Sequence, residues 1–461
     1  MGEPARVHLL IGDLRLGDAA SEHLFVLTRV LLDAGYAPEI LVNHRPGPLP
    51  DDLRSRIHHV HPGDYTPQAD LTIVQYPIWY PLADAIERAP GASIFWYHGV
   101  TDPALWPDAE RDLLLTAAAR TNLAWHATLA VATSPYTAAE LQRYANLPAE
   151  RIRIVPLSVD AASFHPLAVE TDALRRSLNL TGKRVLLYVG RVVEHKRIDL
   201  MLEALAALDR SDVHLLIVGD NGSTVAAGEL TARLMEEAAA LGVAQQITFT
   251  GRVPHVAPYF ALADVYLQTS RHEGFGVPLV EAMAAGAPIV AAAGGAMPWV
   301  LQADEATPAG LLFAPDDPAQ LVAQLARLLD DPELAAGLVA QGRVRVGDFS
   351  PQNFAARALA AVEEALTLEA NAANADPVMP REALLDAADV ALRHYQVRSQ
   401  APLVDPLIEW ARVNSTTHIK EAYFDRMVEQ QVNYNRRLAQ EIVTLHARVR
   451  EMTRQLDERE A

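Results

Sequence analysis

Two glutamates, Glu273 and Glu281, flank a glycine-containing turn that leads into a helix. Gly274 and Gly276 would let a ligand approach the main chain of this turn closely. Pro278 suits the first turn of the helix, because no N–H is needed there. The free N–H groups of the turn and the positive end of the helix dipole would then point at one spot. The spacing therefore predicts an anion site of the kind that binds phosphate.

Two cations, Arg191 and Lys196, follow a strand-like run in the same half of the chain. A departing diphosphate gains negative charge, and a fixed guanidinium and ammonium can stabilise that charge. Taken singly, the two cations could form a solvated surface pair, and Glu281 could be an exposed carboxylate on a helix. The combination with the glycine turn favours a shared site.

These residues resemble the E-x7-E signature of glycosyltransferase family 4, the retaining GT-B enzymes also called glycosyl transferases group 1. The resemblance continues across the second half of the chain, in the order and spacing of the segments Val189–Arg191, Ile217–Asp220, Phe249–Val253, Gly286–Pro288 and Gly310–Pro315. One residue departs from the pattern. Arg197 stands where the family commonly has glycine, which either alters the approach of the donor or adds a third cation.

The resemblance implies a role for each of four residues. Arg191 and Lys196 would neutralise the donor diphosphate, Glu281 would bind the ribose hydroxyls, and Glu273 would contact hydroxyls of the donor sugar. The loop at 251–253 would hold the base. The donor-binding residues predicted in addition to these are Gly17, Gly190, Asp220, Arg252, Val253, Gly274, Phe275, Gly276 and Val277.

The first half of the chain resembles the family more weakly. Gly17 and Asp18 lie in the loop where such enzymes bring acceptor and donor together, although Asp18 could equally be a simple helix cap. The resemblance places His98 beside the reacting sugar, with a structural histidine as the alternative. Several nearby aromatics could form an acceptor wall or could equally be core: Trp79, Tyr80, Trp96 and Trp106.

The glutamate pair also suggests double displacement, in which one carboxylate is an acid and the other a nucleophile. Glu281 would point toward ribose, however, and the resemblance implies front-face transfer in which the leaving phosphate helps deprotonate the acceptor. We therefore expect no metal and no cofactor apart from the nucleotide-diphosphate-sugar substrate. His58, His59 and His61 could bind a metal, but alternating exposure on a short strand is the preferred interpretation.

Short apolar runs alternate with amphipathic stretches, a pattern typical of parallel sheets covered by helices. The fold class predicted is α/β of the GT-B type, with two Rossmann-like doubly wound domains and a C-terminal helical, coiled-coil extension. The first strands are expected at 7–11, 39–42, 71–75, 94–97, 129–133 and 152–156, and the second series at 185–190, 213–219, 247–250, 265–269 and 289–292.

Five segments follow from this reading. Residues 1–165 form an acceptor-side domain and 166–370 a nucleotide-sugar domain, whose last helix could cross back to the first domain. We predict a linker at residues 371–380 and a helical segment at residues 381–417. Apolar residues then recur at spacings of 4, 3, 4, 3 and 4, so residues 418–461 are predicted to be a coiled coil that makes homo-oligomers. A lone amphipathic helix is the alternative.

Composition narrows the class of protein. The net charge of −19 from 58 acidic and 39 basic residues disfavours nucleic acid as a partner. The absence of cysteine excludes disulfides and thiol nucleophiles and fits a reducing compartment. The N-terminus lacks signal-peptide features, so we expect a cytoplasmic protein, at most peripheral to a membrane.

The sequence predicts a glycosyltransferase that moves a sugar from a nucleotide donor to a saccharide or lipid-linked saccharide. Two other enzyme classes share the architecture, a sugar-nucleotide epimerase and a phosphorylase. A non-catalytic coiled-coil scaffold is the alternative of another kind.

Overall fold

A computed structural model describes residues 4–372, except for 45, 107, 223–224 and 304–305. Side chains at 108–110, 225–226 and 370–372 are also outside the description. The first two residues of the predicted linker, 371 and 372, belong to the last described helix, so the helix ends later than expected. The rest of the linker, the helical segment and the coiled coil lie outside the described residues. No helix in the described part of the chain is long and apolar enough to cross a membrane.

The first sheet has seven parallel strands in the order β3-β2-β1-β4-β5-β6-β7. They are β1 (Arg6–Ile11), β2 (Ala37–Val42), β3 (Ile57–His59), β4 (Leu71–Tyr76), β5 (Ala92–Tyr97), β6 (Leu129–Ala132) and β7 (Ile152–Ile154). The α-helices in this part of the chain are α1 (Ala19–Asp33), α2 (Asp108–Ala119) and α3 (Pro135–Ala145). Every residue of β4 and β5 is buried, as expected for central strands with helices on both faces.

The second sheet has six parallel strands in the order β10-β9-β8-β11-β12-β13. They are β8 (Arg184–Val189), β9 (Val213–Val218), β10 (Ile247–Gly251), β11 (Val265–Gln268), β12 (Ile289–Ala292) and β13 (Leu311–Phe313). The helices of this half are α4 (Ala168–Ser177), α5 (Ile198–Leu208), α6 (Val225–Ala240), α7 (Ala257–Phe260), α8 (Val277–Ala285), α9 (Met297–Val300), α10 (Pro318–Asp330) and α11 (Pro332–Arg345).

The last described helix, α12 (Pro351–Ala372), returns to the first sheet. Phe354, Ala358 and Val362 are buried in the core that contains β1, β4 and Trp96. Arg153, on β7, makes a two-pronged ion pair with Glu364 of this helix. The core of the first domain therefore includes residues from both ends of the described chain.

In each sheet, successive strands are first added toward one edge and then toward the other. This reversal lies between β1 and β4 in the first sheet and between β8 and β11 in the second. In doubly wound sheets, ligands bind beyond the carboxyl ends of the strands at this switch point. The loop after β8 carries Lys196 and the loop after β11 carries Glu273, so the topology brings these two distant segments together.

Candidate functional site

Lys196 and Glu273 form a nearly buried ion pair. Lys196 Nζ donates to Glu273 Oε1 over 2.6 Å, and the two side chains are 13% and 12% exposed. Burial opposes the charge on Glu273, but Lys196 and a hydrogen bond from Ser270 outweigh it and hold the pKa of the carboxyl below its usual range. Glu273 is therefore a fixed anion whose charge Lys196 balances.

A polar network at the end of β11 holds the Glu273 carboxylate from the other side. Gln268 Nε2 donates to Glu273 Oε1 and, over 2.8 Å, to Ser270 Oγ. The Tyr266 hydroxyl in turn donates to Gln268 Oε1 over 2.6 Å. Burial raises the pKa of Tyr266 well above its usual value, so this hydroxyl stays protonated and keeps the glutamine amide in one orientation.

Arg191 lies at the start of the loop after β8 and is exposed. Its backbone carbonyl accepts a 3.0 Å hydrogen bond from the Tyr188 hydroxyl, which fixes the main chain. Within the described residues, its guanidinium forms no ion pair. The site thus contains one cation bound to a glutamate and a second that is available to a ligand.

The glycines after β8 and β9 allow the two loops to touch. A Cβ on Gly219 would lie 2.0 Å from the Gly190 carbonyl oxygen, and Gly219 has a φ of +142°. The amide of Val192 donates to the Asp220 carbonyl over 2.8 Å, which ties the two loops together just below Arg191. These contacts place Gly190 and Asp220 at the carboxyl edge of the second sheet.

The turn before α8 has the predicted open geometry. Gly276 caps the helix with a φ of +91°, a conformation that favours glycine. The amides of Gly274, Phe275 and Gly276 donate to no group in the described part of the chain. The ring of Phe275 is buried against Phe349 at 5.4 Å, so Phe275 can offer a ligand only its backbone. Val277, the first helical residue, is half-buried.

Glu281 lies one turn inside α8 and is half-buried. Among the described residues, none forms a hydrogen bond or ion pair with its carboxylate, and burial raises the pKa to about 7. An unpartnered carboxylate of this kind lacks hydrogen-bond donors, which the hydroxyls of a ligand could supply.

Two further predicted residues meet across the domains. Arg252 Nη2 donates to the carbonyl of Leu16, and a Cβ on Gly17 would lie 3.2 Å from the same nitrogen. Gly17 has a φ of +74°. Asp18 caps α1 by accepting from the Ser21 amide over 3.2 Å, so the simple helix-cap interpretation of Asp18 describes what is seen. Val253 is half-buried against the second core.

His98, directly after β5, is a neutral hydrogen-bonding group. Its Nε2 donates to Gln75 Oε1 over 2.6 Å, and burial lowers its pKa to about 3. Its backbone carbonyl faces the second domain, where a Cβ on Gly274 would lie only 2.1 Å from that oxygen. His98, which was predicted to lie beside the reacting sugar, is therefore packed against the turn that carries Glu273.

The aromatics near His98 do not form one exposed wall. Trp96 and Tyr80 are buried, and each belongs to one of the two hydrophobic cores of the first domain. Trp106 lies at 5.0 Å from the ring of His195 in the second domain, and Trp79 donates to Asp84 over 3.0 Å. Core packing thus accounts for the two buried members of the set.

Arg197 does not provide a free third cation. Its guanidinium pairs with Asp199 and Asp316, and its backbone adopts a φ of +53° in the left-handed region where glycine is favoured. The carbonyl of Arg197 accepts from Thr269, which fixes the residue at the start of α5. The departure from the family glycine therefore produces an ion cluster in which the Arg197 side chain is only 15% exposed.

No set of three or more His, Cys, Asp or Glu side chains in the described part of the chain could hold a metal ion. His58 and His59 are exposed on the short strand β3, and His61 follows in the next loop. The site residues described above offer nitrogen donors to phosphate and carboxylate acceptors to hydroxyl groups, so they suit a phosphorylated, hydroxyl-bearing ligand.

Sequence reasoning missed the residues that support the site. Gln268 and Ser270 could have been suspected, because a buried strand rarely ends in polar residues without a partner. Glu140 and His272, which form a buried cross-domain pair, offered no such signal because 132 positions separate them. Their proximity depends on how the two sheets dock.

Comparison with known proteins agrees with this architecture. The chain superposes on Anabaena HepE, solved with UDP and glucose, with a TM-score of 0.65 at 17% identity, covering 78% of this chain and 99% of that one. It also superposes on sucrose-phosphate synthase from Thermosynechococcus elongatus, with a TM-score of 0.65 at 21% identity, covering 79% of this chain and 99% of that one. At this identity the likeness concerns the fold, which is GT-B, as predicted.

Residues 170–345 match the family described as Glycosyl transferases group 1. D-inositol 3-phosphate glycosyltransferase of Thermobispora bispora is 32% identical over 51% of this chain and 56% of its own length. A lipopolysaccharide core biosynthesis mannosyltransferase of Rhizobium meliloti is 31% identical over 51% and 65%. The alignments thus span between about half and two thirds of these relatives.

Proposed function

We propose that this protein transfers a sugar, with retention of configuration, from a nucleotide-diphosphate-sugar to a saccharide or lipid-linked saccharide. The Lys196–Glu273 ion pair at the switch point of the second sheet is the observation that carries this proposal. It places a fixed anion and a fixed cation beside an open helix start, and the two charges suit different parts of one donor.

The diphosphate of the donor fits the cationic side of the site. Arg191 is exposed and has no ion-pair partner among the described residues, and Lys196 has two ammonium hydrogens beyond the one that Glu273 accepts. The amides at the start of α8, which donate to no group in the described part of the chain, add further donors. These groups would stabilise charge as the nucleoside diphosphate leaves, without themselves moving protons.

The two glutamates fit hydroxyl groups at the two ends of the donor. Glu273 would accept from hydroxyls of the sugar, because its carboxylate is ionised and held by Lys196 and Gln268. Glu281 would accept from ribose hydroxyls. A role for Glu273 as a nucleophile is disfavoured, because an attacking carboxylate would first have to leave its ion pair with Lys196.

The proton of the acceptor hydroxyl needs a base, and the nearest candidate in the chain is a poor one. With a pKa of about 3, His98 has little affinity for a proton at neutral pH. The leaving phosphate is a better acceptor and lies on the face that the incoming hydroxyl approaches. This supports front-face transfer, which requires no metal.

The acceptor and setting remain part of the proposal. The Rhizobium relative is named for lipopolysaccharide core biosynthesis, and this name supports a saccharide or lipid-linked saccharide as the acceptor. We place the protein in the cytoplasm, with contact to a membrane limited to its surface. We further propose homo-oligomers formed by the coiled coil at 418–461, and no nucleic-acid partner.

The test is a transfer assay with UDP-glucose, UDP-galactose and GDP-mannose against saccharide and lipid-linked acceptors. Release of nucleoside diphosphate with an acceptor-linked product whose anomeric proton matches the donor supports the proposal. Release without such a product would indicate an epimerase, and turnover that needs inorganic phosphate would indicate a phosphorylase. Unchanged rates after chelation of metals are expected.

Matched variants locate the activity. Lys196→Ala and Glu273→Ala should each lower transfer by at least about a hundredfold, a usual cost of losing one preorganised charge. Lys183→Ala, which loses only a bond to the Ser211 carbonyl, and Glu236→Ala on the exposed face of α6 should keep full activity. Full activity in either site variant would contradict the donor-site assignment.

A further inference from the structure

A buried hydrogen bond crosses from the first domain to the turn that carries Glu273. His272 Nε2 donates to Glu140 Oε1 over 3.1 Å, and the two side chains are 5% and 3% exposed. Glu140 belongs to α3 of the first domain, and His272 immediately precedes Glu273. A carboxylate removed from water to this extent is stable only where hydrogen-bond donors are fixed around it.

Glu140 is held firmly from its own side. The Tyr97 hydroxyl donates to Glu140 Oε2 over 3.3 Å and accepts from the Val100 amide over 2.9 Å. The ring of Tyr136 meets His272 edge-on at 5.5 Å. The carboxylate is therefore a rigid part of the first domain, and His272 is the group that docks on it.

A second bond reaches the residue on the other side of Glu273. Ser134 Oγ donates to the Gly274 carbonyl over 2.7 Å, and Ser134 is itself fixed as the cap of α3, where its Oγ accepts from the Thr137 amide over 3.1 Å. The first domain thus holds residues 272 and 274, which flank the donor glutamate. From within the second domain, the Ala296 amide holds the Glu273 carbonyl over 2.9 Å.

We propose that Glu140 is a positioning residue for the donor sugar. By fixing His272, it aligns Glu273 and the free amides of the turn, so the sugar subsite is complete only when the first domain is docked. Arg191 and Glu281, proposed to contact the diphosphate and the ribose, both belong to the second domain, so their contacts with the nucleotide are expected to change little in a Glu140 variant. The identity of the ligand in this inference rests on the proposed function.

The test compares Glu140→Ala and Glu140→Gln with Gln142→Ala, an exposed residue of the same helix, as control. Hydrogen exchange is followed at the amides of residues 273–277, and affinities for UDP and UDP-glucose and the transfer rate are measured. Glu140→Ala should speed exchange in this turn and lower kcat at least about tenfold, with the Kd for UDP changed less than about threefold. Glu140→Gln should recover most of the rate, because its side-chain oxygen can still accept from His272.

Three results would overturn the inference. Unchanged exchange in Glu140→Ala would mean that Glu140 does not hold the turn. Faster exchange with an unchanged kcat would leave it a purely structural role, and failure of Glu140→Gln to recover activity would exclude the hydrogen bond as the cause. If Glu140→Ala does not fold, His272→Ala compared with His272→Gln applies the same criteria, since glutamine can donate the same bond.

The outcomes separate this inference from the proposed function. If the wild-type protein binds no sugar nucleotide from the panel of UDP-glucose, UDP-galactose and GDP-mannose, the function fails and the donor-sugar role of Glu140 fails with it. The exchange comparison would then still show whether Glu140 anchors the turn. If the wild type is active and exchange is unchanged in the variant, the function stands and the inference alone falls.

Discussion

The raised pKa of Glu281 predicts a specific pH dependence of donor binding. In the free protein this carboxyl titrates at about 7, compared with its ordinary 4.5, and burial is the cause. Ribose hydroxyls that donate to the carboxylate favour its ionised form, so donor binding should lower the pKa and release a proton. Affinity should therefore be highest above pH 7 and should fall as the pH drops through that value.

The size of the effect follows from the fraction of Glu281 that is ionised. With a pKa of about 7, roughly one carboxyl in eleven is ionised near pH 6 and roughly ten in eleven near pH 8. The Kd for the donor should thus be about tenfold weaker near pH 6, equivalent to about 1.4 kcal/mol. His98 and Tyr266 do not contribute to the pH dependence in this window, because burial keeps both side chains neutral.

The measurement is calorimetric titration with UDP-glucose at the two pH values. A sugar nucleotide is preferable to UDP because each of its phosphates has one ester and one anhydride linkage, which leaves no proton that titrates in this range. Glu281→Gln is the control, and its affinity should be weaker but independent of pH. Equal wild-type affinities at both pH values, or the same pH dependence in Glu281→Gln, would refute the reasoning.

Three further predictions concern structure and stability. Gly274→Ala places a Cβ 2.1 Å from the His98 carbonyl oxygen and should abolish most transfer, which a transfer assay measures. Gly228→Ala, in open space on α6, should raise the free energy of unfolding by about 0.5–1 kcal/mol, which denaturant unfolding measures. Asp18→Ala removes the cap of α1 and should cost about 1 kcal/mol in denaturant unfolding, with full stability contradicting the cap. Phe354→Ala empties a buried position between α12 and the first sheet and should cost about 3–5 kcal/mol by the same measurement; a loss below about 1 kcal/mol would show that the helix is not needed there.

The sequence predicted the strands best where burial is uniform. Residues 213–218 are apolar apart from His214 and are buried throughout, so a strand was the natural interpretation. β13 was missed because a run of only three residues, Leu311–Phe313, carries no usable periodicity. The GT-B fold itself was confirmed, since it depends on the order of many strands and not on the bounds of any one.

The candidate site was predictable where its chemistry is local in sequence. The turn between Glu273 and Glu281 is one continuous segment, so its glycines and its helix start could be recognised together. The anchors from Glu140 and Ser134 could not be inferred, because they require the docked arrangement of two domains. Trp96 shows the same limit, since composition near a site does not reveal which aromatic faces the core.

The return of α12 to the first sheet has a consequence for how the chain is made. During synthesis, the first domain emerges long before Phe354 and Val362, which complete its core, have left the ribosome. The second domain has its own separate core and can fold during this time. The first domain is therefore expected to gain its full stability last, although it is translated first, and a chain that stops before residue 351 would leave it with an unfilled face.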